Sequence, residues 1–538
     1  MLFLSRTRSV LDVHTYLCLT RSSRTQSPDS MTPTISPKPV AKPTRESVAA
    51  PYWIAAIVSL GAFLRLWGIG SESVWLDEYF SLAHLDAESL RAFWERMSVG
   101  DPPSVVAPAY FTLEYGWTRL FGTSTLGLRL FGVSHSVAGI YLVYLIGKEL
   151  YGQRAGLIAA TCLACSLPHI YFAQEIRMHG LAITLSLISM LGFVKGLDSN
   201  RKIWWWVNGL ANLVMLWTLV FTALLVAVQG LYLLIFHRAT ARRILSWSVW
   251  HAGVAASMGA WLAMHPTPEA FWMGVPTLRD LANTFVVLAG GRVSNVDPSP
   301  ELPFAFSLDL GLALAFLGCT VFVFVRAWWP GRGDSVSMED KSRATLLALW
   351  LVLPPLALFA VSVLYRPCFI HRYLLFASFP YWIAAGAVLS SLPRPRYRGV
   401  ALALLLGVFA YQDIARFETS FRPAYATAAR AIRQFDAAPL AGDAPYPILI
   451  LKKRLNAEPF QYAEKFPEER VHVAYGVTDL PEISAELLAT HAGLWVLMWR
   501  WDAMPEYEAF LESQGWDFTR STLGGMPRLY LYRIVSAE

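Results

Sequence analysis

Charge is scarce in this chain. Asp, Glu, Lys and Arg supply 16% of its 538 residues, against about 25% in soluble domains. Hydrophobic residues reach 55% and aromatics 14%, and the mean hydropathy is +0.40. A soluble fold is excluded on that balance. The short alternating segments of outer-membrane strands are missing too. Apolar runs of about 17–25 residues recur instead, the length that crosses hydrocarbon as a helix. The expectation is a polytopic α-helical membrane protein.

Cysteine is also sparse. Five are scattered at 18, 162, 165, 319 and 368, and four fall in or beside apolar runs, so no disulfide framework is implied. Cys162 and Cys165 form a CxxC inside an apolar run, where small-residue helix packing outranks redox or metal chemistry. There is no Walker-type glycine loop and no inverted repeat of the transporter kind. The net charge of +6 points to cytoplasmic loops rather than nucleic acid, because Lys and Arg cluster between the runs. Residues 1–50 are polar, rich in Ser, Thr, Pro and Arg, and carry no signal-peptide core. They read as a disordered cytoplasmic tail, with Met31 as an alternative start.

The apolar runs give about eleven spans over residues 51–412. The first covers Tyr52 to Trp67, and a long outer loop with interfacial helices follows over 70–127. Later runs include Leu128 to Ile146, Ala155 to Phe172, Leu181 to Leu197, Ala344 to Leu364, Leu374 to Leu392 and Val400 to Tyr411. Beyond 412 the character changes. Pro447 to Leu451, Leu494 to Met498 and Leu529 to Ile534 have strand length and strand residues. Ala424 to Phe435, Glu482 to His491 and Pro505 to Gln514 read as amphipathic helices. Residues 413–538 are therefore expected to form an extracytoplasmic α/β domain. The charge bias places the protein in the inner (cytoplasmic) membrane, N-terminus inside, with that domain periplasmic or extracellular.

Within this frame the pair Asp77-Glu78 stands out, directly after the first run. A charge at membrane depth costs roughly 2.5–3.5 kcal/mol on insertion scales, unless it borders a water-filled cavity. Two more polar clusters are placed on the same side by the span count: Glu175, Arg177 and His179, and Arg366 with His371 and Arg372. Guanidinium groups grip phosphate as two-pronged donors. A carboxylate can take a proton from an attacking hydroxyl. Plainer readings exist for each. Arg177 can snorkel to headgroups, Arg372 beside Tyr373 fits an aromatic belt, and Glu175 can pair locally with Arg177. His179 and His371 read equally as hydrogen-bonded interface residues.

Four stretches resemble the GT-C glycosyltransferases that use polyprenyl-phosphate sugars, in particular protein-mannosyltransferase-like and aminoarabinose-transferase-like proteins. They are Arg65-Leu66 with Trp75-Leu76-Asp77-Glu78, Leu120-Phe121-Gly122 through Leu128-Arg129-Leu130, Gln174-Glu175-Ile176-Arg177-Met178-His179, and His371-Arg372-Tyr373. The resemblance implies a GT-C fold and inverting transfer of a sugar from a polyprenyl-phosphate donor. The acceptor, whether lipid, glycan or protein, is left unnamed. Asp77 would be the catalytic base, and Glu78 would orient the acceptor or support Asp77. Arg177 and Arg372 would hold the donor phosphate. Glu175, His179, His371, Tyr373 and Tyr110 would touch substrate. A divalent metal ion stays open, with Asp77 and Glu175 as its candidate ligands. The chain departs from the family's His-Pro-Pro-Leu-Tyr segment: it has Val106-Ala107-Pro108-Ala109-Tyr110, and the His is missing, with Asp101-Pro102-Pro103 nearby. A transporter or flippase of a lipid-linked or anionic substrate, a glycan ligase of similar fold and an assembly scaffold are the rival readings.

Overall fold

The computed structural model describes residues 45–535, except 83, 86, 100–104, 200, 238–240, 266–273, 292–302, 332–334, 419–423, 438–444, 452–459, 461–462, 499–503 and 524–528. The expected tail over 1–44 and Asp101-Pro102-Pro103 lie outside the described residues. The chain divides into Met1–Val48 and Ala49–Glu538. The membrane helices and the sheet domain belong to the second unit.

Among the described residues, helix α1 (Arg45–Leu66) is followed in the first long loop by α2 (Leu76–Leu82), α3 (Leu90–Val99) and α4 (Pro108–Phe121). Then come α5 (Thr125–Tyr151), α6 (Gln153–Cys165), α7 (Leu167–Ala173) and α8 (His179–Asp198). Ser124 caps α5 by accepting the Gly127 amide, which supplies one of the partners a helix start lacks. Between α6 and α7 the axis bends by 60° at Ser166-Leu167-Pro168. Proline has no amide proton and cannot continue the preceding helix. The chain goes on through α9 (Lys202–Thr218), α10 (Ala223–Phe236), α11 (Ala241–Met264), α12 (Leu278–Leu288), α13 (Pro303–Trp328) and α14 (Met338–Leu364). A 3-10 segment, His371–Ala377, leads into α15 (Phe379–Ser391), and α16 runs from Pro395 to Glu418.

Among the described residues, six segments are long and apolar enough to cross a bilayer: Ala49–Leu66, Thr125–Tyr151, His179–Asp198, Leu308–Trp328, Met338–Leu364 and His371–Ser391. The bent pair α6–α7 makes a seventh if it is one span. The other runs counted in the sequence fall on α9, α10, α11 and α16. The stretch from Pro108, read as interfacial, is the fourteen-residue helix α4 and is not among the six. The division expected at 412 falls inside α16.

The core buries Trp350, Trp382, Phe379 and Tyr381 completely, among many aliphatic side chains. Trp350 Nε1 donates to Phe376 O at 2.8 Å, which pins the 3-10 segment to α14. Helices α8 to α11 share a second device, a network of neutral polar groups. Asn208 and Asn212 both donate to Gln229 Oε1, at 3.1 and 3.0 Å. Ser189 donates to Asn212 Oδ1 at 2.5 Å, and Asn212 Nδ2 lies 2.8 Å from His251 Nε2. Such groups are tolerated away from water only when mutually satisfied.

Among the described residues, the C-terminal domain holds a five-stranded sheet, ordered β2-β1-β3-β5-β4. Its strands are β1 (Ile448–Leu451), β2 (Val471–Ala474), β3 (Gly493–Met498), β4 (Asp517–Leu523) and β5 (Leu529–Val535). β1 pairs in parallel with β2 and β3, while β5 runs antiparallel to β3 and β4. β1 and β3 are buried along their whole length, because helices cover both faces. α17 (Tyr425–Asp436) packs on one face, and α18 (Asp479–Leu488) and α19 (Met504–Ser513) on the other. The three strands and three helices expected from the sequence are all present. β2 and β4, which the sequence reading did not pick out, are short or largely exposed.

Candidate active site

Helix α2 begins at Leu76, so Asp77 and Glu78 occupy its first turn, where carboxylates suit the helix dipole. From there the two acids point to different partners. Glu78 is completely buried, and Arg129 of α5 is 1% exposed. Arg129 Nη2 donates to Glu78 Oε2 at 3.0 Å and Nε to Oε1 at 3.2 Å. The same guanidinium donates to Ile69 O, Glu72 O and Ser73 O. Arg129 thus uses its planar fork to fold the loop before α2 around itself. Glu78 Oε1 also accepts the Ile176 amide at 3.0 Å, and Ser81 donates to Ile176 O at 2.8 Å. These bonds join the first acidic loop to the segment 174–178. Gln174 completes the joint by donating to Arg65 O and Trp67 O, both at 2.8 Å.

Asp77 faces the other way. Its Oδ2 takes Arg372 Nη1 at 2.7 Å, from the 3-10 segment almost three hundred residues later. Its backbone carbonyl accepts Arg177 Nη1 at 3.1 Å. Both arginines are buried, and the Nε of each has no hydrogen-bond partner among the described residues. Arg372 also lies over the Trp75 ring, 5.9 Å from its centroid, and over Tyr373 at 5.6 Å. Stacking of this kind fixes the plane of the guanidinium.

The remaining expected residues lie around this centre. His179 Nε2 stands 3.7 Å from Glu175 Oε2, and its ring packs 6.4 Å from that of Tyr373. Tyr373 stacks on Phe221 at 4.6 Å. A small cleft of about 10 Å³ opens beside Arg372, His179 and Tyr373, with Ala182, Ile183, Leu219, Leu375 and Phe376 as its apolar wall. His371 is set further back, its ring 6.5 Å from Phe172. Tyr110 reaches the site through another residue: it donates to Glu114 Oε1 at 2.6 Å. Glycine makes the close packing behind the site possible. A Cβ on Gly132 of α5 would meet Ala173 O at 2.6 Å, and one on Gly180 would meet Gly132 O at 2.9 Å.

Three residues here were given no role in the sequence reading, although Arg129 and Trp75 stand in its motifs: Arg129, Glu114 and Trp75. Arg129 is a lone cation inside an apolar run, which by itself marks a functional or structural site. Glu114 lies four positions after Tyr110, hence on the same helix face. It is completely buried, and burial, the main cause, raises its carboxyl to about 8. Burial likewise pushes the Tyr110 phenol well up. Among the described residues, no three or more His, Cys, Asp or Glu converge to hold a metal ion.

Residues 105–263 match the family described as dolichyl-phosphate-mannose-protein mannosyltransferase, less than a third of the chain. No curated protein sequence matches significantly. Among solved structures, ArnT from Cupriavidus metallidurans in the apo state superposes with a TM-score of 0.50 at 13% identity, covering 90% of this chain and 98% of that one. The chain has the GT-C fold. The same enzyme bound to undecaprenyl phosphate matches this GT-C chain with the same TM-score, identity and coverage. AglB, the oligosaccharyltransferase of Archaeoglobus fulgidus in complex with an inhibitory peptide and a dolichol-phosphate, gives 0.43 at 12% identity over 83% of this chain and 70% of that one. That overlap is too loose to carry an argument. At such identities the likeness to solved structures speaks for the fold of this GT-C chain alone. Function has to be argued from the site.

Proposed function

We propose that this protein is a membrane glycosyltransferase that moves a sugar from a polyprenyl-phosphate donor to an acceptor on the extracytoplasmic side. The observation that carries the reading is the contact of Asp77 Oδ2 with Arg372 at 2.7 Å, with Arg177 on the carbonyl of the same residue. One carboxylate and two guanidinium groups meet where an apolar cleft begins. ArnT has been solved with undecaprenyl phosphate bound, and the stretch 105–263 matches a family described as dolichyl-phosphate-mannose-protein mannosyltransferase. Both agree with this assignment.

In the proposed reaction an acceptor hydroxyl or amine attacks the anomeric carbon from the face opposite the phosphate. A bond from acceptor to C1 forms while the C1–O bond to phosphate breaks. Its electron pair leaves with the phosphate oxygen, and inversion follows from the in-line geometry. Asp77 takes the acceptor's proton as general base. Arg177 and Arg372 stabilise the charge that grows on the departing phosphate, where fixed donors act most strongly. Trp75 and Tyr373 hold Arg372 in plane. Glu175 and His179 line the sugar side, with Tyr110 and His371 behind them. Ala182, Ile183, Leu219 and Phe376 receive the first isoprene units. Glu78 supports Asp77 through the Arg129 clasp. The charge bias of the loops supports an inner-membrane location, with the N-terminus cytoplasmic and the C-terminal domain outside.

The test is turnover. Purified protein given a polyprenyl-phosphate sugar and a mixed acceptor pool should release polyprenyl phosphate. Asp77→Asn should stop release and leave the fold intact. Movement of the intact donor across a bilayer without release would instead favour a flippase.

A further inference from the structure

Glu114 is a third glutamate beside the site, and the proposed reaction does not use it. It sits on α4, completely buried. Oε1 accepts the Tyr110 hydroxyl, while Oε2 is buried with no hydrogen-bond partner among the described residues. Its charged neighbours are Arg177 and Glu78, and Glu78 is already committed to Arg129. Arg177 spends Nη1 on Asp77 O and leaves Nε without a partner among the described residues. A guanidinium and a carboxyl thus lie near each other, buried, without joining. An ionised carboxylate so placed gains much from closing on the guanidinium and loses much by staying alone. A neutral acid has no such need.

We propose that Glu114 works as a neutral acid, which leaves the Arg177 guanidinium to an incoming phosphate, and that its ionised form competes with the phosphate for Arg177. Glu114 is then a positioning residue that sets the affinity for the lipid phosphate, not a group that touches the sugar. The inference rests on Arg177 being part of the phosphate site, as proposed above.

Deprotonation of Glu114 sets the direction of the pH effect. Burial raises the carboxyl to about 8, so the neutral form dominates at pH 7 and is lost as pH climbs past that value. If ionisation and phosphate binding exclude each other, the apparent Kd at pH 9 is about tenfold weaker than at pH 7. The Tyr110 hydrogen bond opposes burial by favouring the charged form. Other ionisable groups sit on its own helix, Tyr115 and Arg119, and on the neighbouring elements: Asp77, Glu78 and His84 on and after α2. Arg129 and His135 come from α5, and Glu175 and Arg177 from the segment before α8. Replacing Glu114 alone separates its share from theirs.

The experiment is binding of undecaprenyl phosphate to the full chain in detergent between pH 7 and 9.5, where the phosphate monoester is mostly dianionic from the start and any further ionisation would strengthen binding, not weaken it. Wild type should weaken about tenfold by pH 9, and Glu114→Gln should show no such decline. Tyr110→Phe should move the midpoint of the decline to higher pH. A flat wild-type curve, or a decline in Glu114→Gln parallel to wild type, overturns the inference. If Glu114→Gln does not fold, an unmoved midpoint in Tyr110→Phe overturns it. The underlying phosphate-site reading has its own arm. If neither Arg177→Gln nor Arg372→Gln weakens binding at pH 7, that reading fails whatever Glu114 does.

Discussion

Arg129→Met should damage this protein more than Asp77→Asn does, although Arg129 touches no substrate. Arg129 makes two bonds to Glu78 and three to backbone carbonyls of the loop before α2. Both partners of the ion pair are essentially inaccessible to water. Removing the cation leaves a buried anion without its guanidinium, though the Ile176 amide still reaches it, and losing one partner of a buried pair costs about 3–5 kcal/mol. That is a large part of the roughly 5–15 kcal/mol by which folded domains are stable. Glu78→Gln should cost less, because the guanidinium it leaves still has Ile69 O, Glu72 O and Ser73 O. The double variant removes both charges and should be less destabilised than Arg129→Met alone. The assay is thermal unfolding of wild type, both singles and the double in one detergent, with release of polyprenyl phosphate measured on each. A coupling of about 1–3 kcal/mol between the two positions is expected. Additive effects, within about 0.5 kcal/mol, would refute the clasp as the element that holds the acidic loop.

Asp77→Asn keeps the side chain's size and should abolish polyprenyl-phosphate release with little change in melting temperature. Arg372→Lys keeps the charge and loses the fork that reaches Asp77 and stacks on Trp75. It should recover little of the activity lost in Arg372→Gln, read as kcat/KM. Gly132→Ala drives a methyl against Ala173 O, directly behind Glu175, and should lower both melting temperature and turnover. Ser189→Ala breaks one centre of the α8–α11 network, leaving Gln229 and Asn212 donors and acceptors unmatched. It should cost about 1–3 kcal/mol in a melting experiment and spare the affinity for undecaprenyl phosphate.

Much of this was legible in the sequence, for identifiable reasons. Apolar runs announced the helices because length and hydropathy alone decide whether a segment can span. The strands Ile448–Leu451 and Gly493–Met498 were readable because both faces are covered and their residues are almost all apolar. β4 was not, since its residues are mostly exposed and polar, and it is held by pairing with β5. Asp77, Arg177 and Arg372 could be named because charges next to apolar runs are conspicuous. Their meeting could not be read from periodicity. It depends on the Trp350 bond that pins the 3-10 segment and on the glycine contact of α5 with the 173–180 stretch. Arg129 was quoted within a motif but given no role because it stands at the start of a span, and Glu114 because its aromatic stretch was read as an interfacial helix. Only packing reveals that the helix turns this acid inward.

The amide of Ala426, in the first turn of α17, donates to Ser73 Oγ at 3.0 Å, across 353 positions of the chain. Ser73 stands four residues before Asp77, in the loop whose carbonyls Arg129 gathers. A residue made late therefore secures a loop made near the beginning. A nascent chain stopped just short of residue 426 has the helices through Glu418 and both arginines, yet its acidic loop lacks this tether. The loop gains this last fastening only once synthesis has passed the membrane helices.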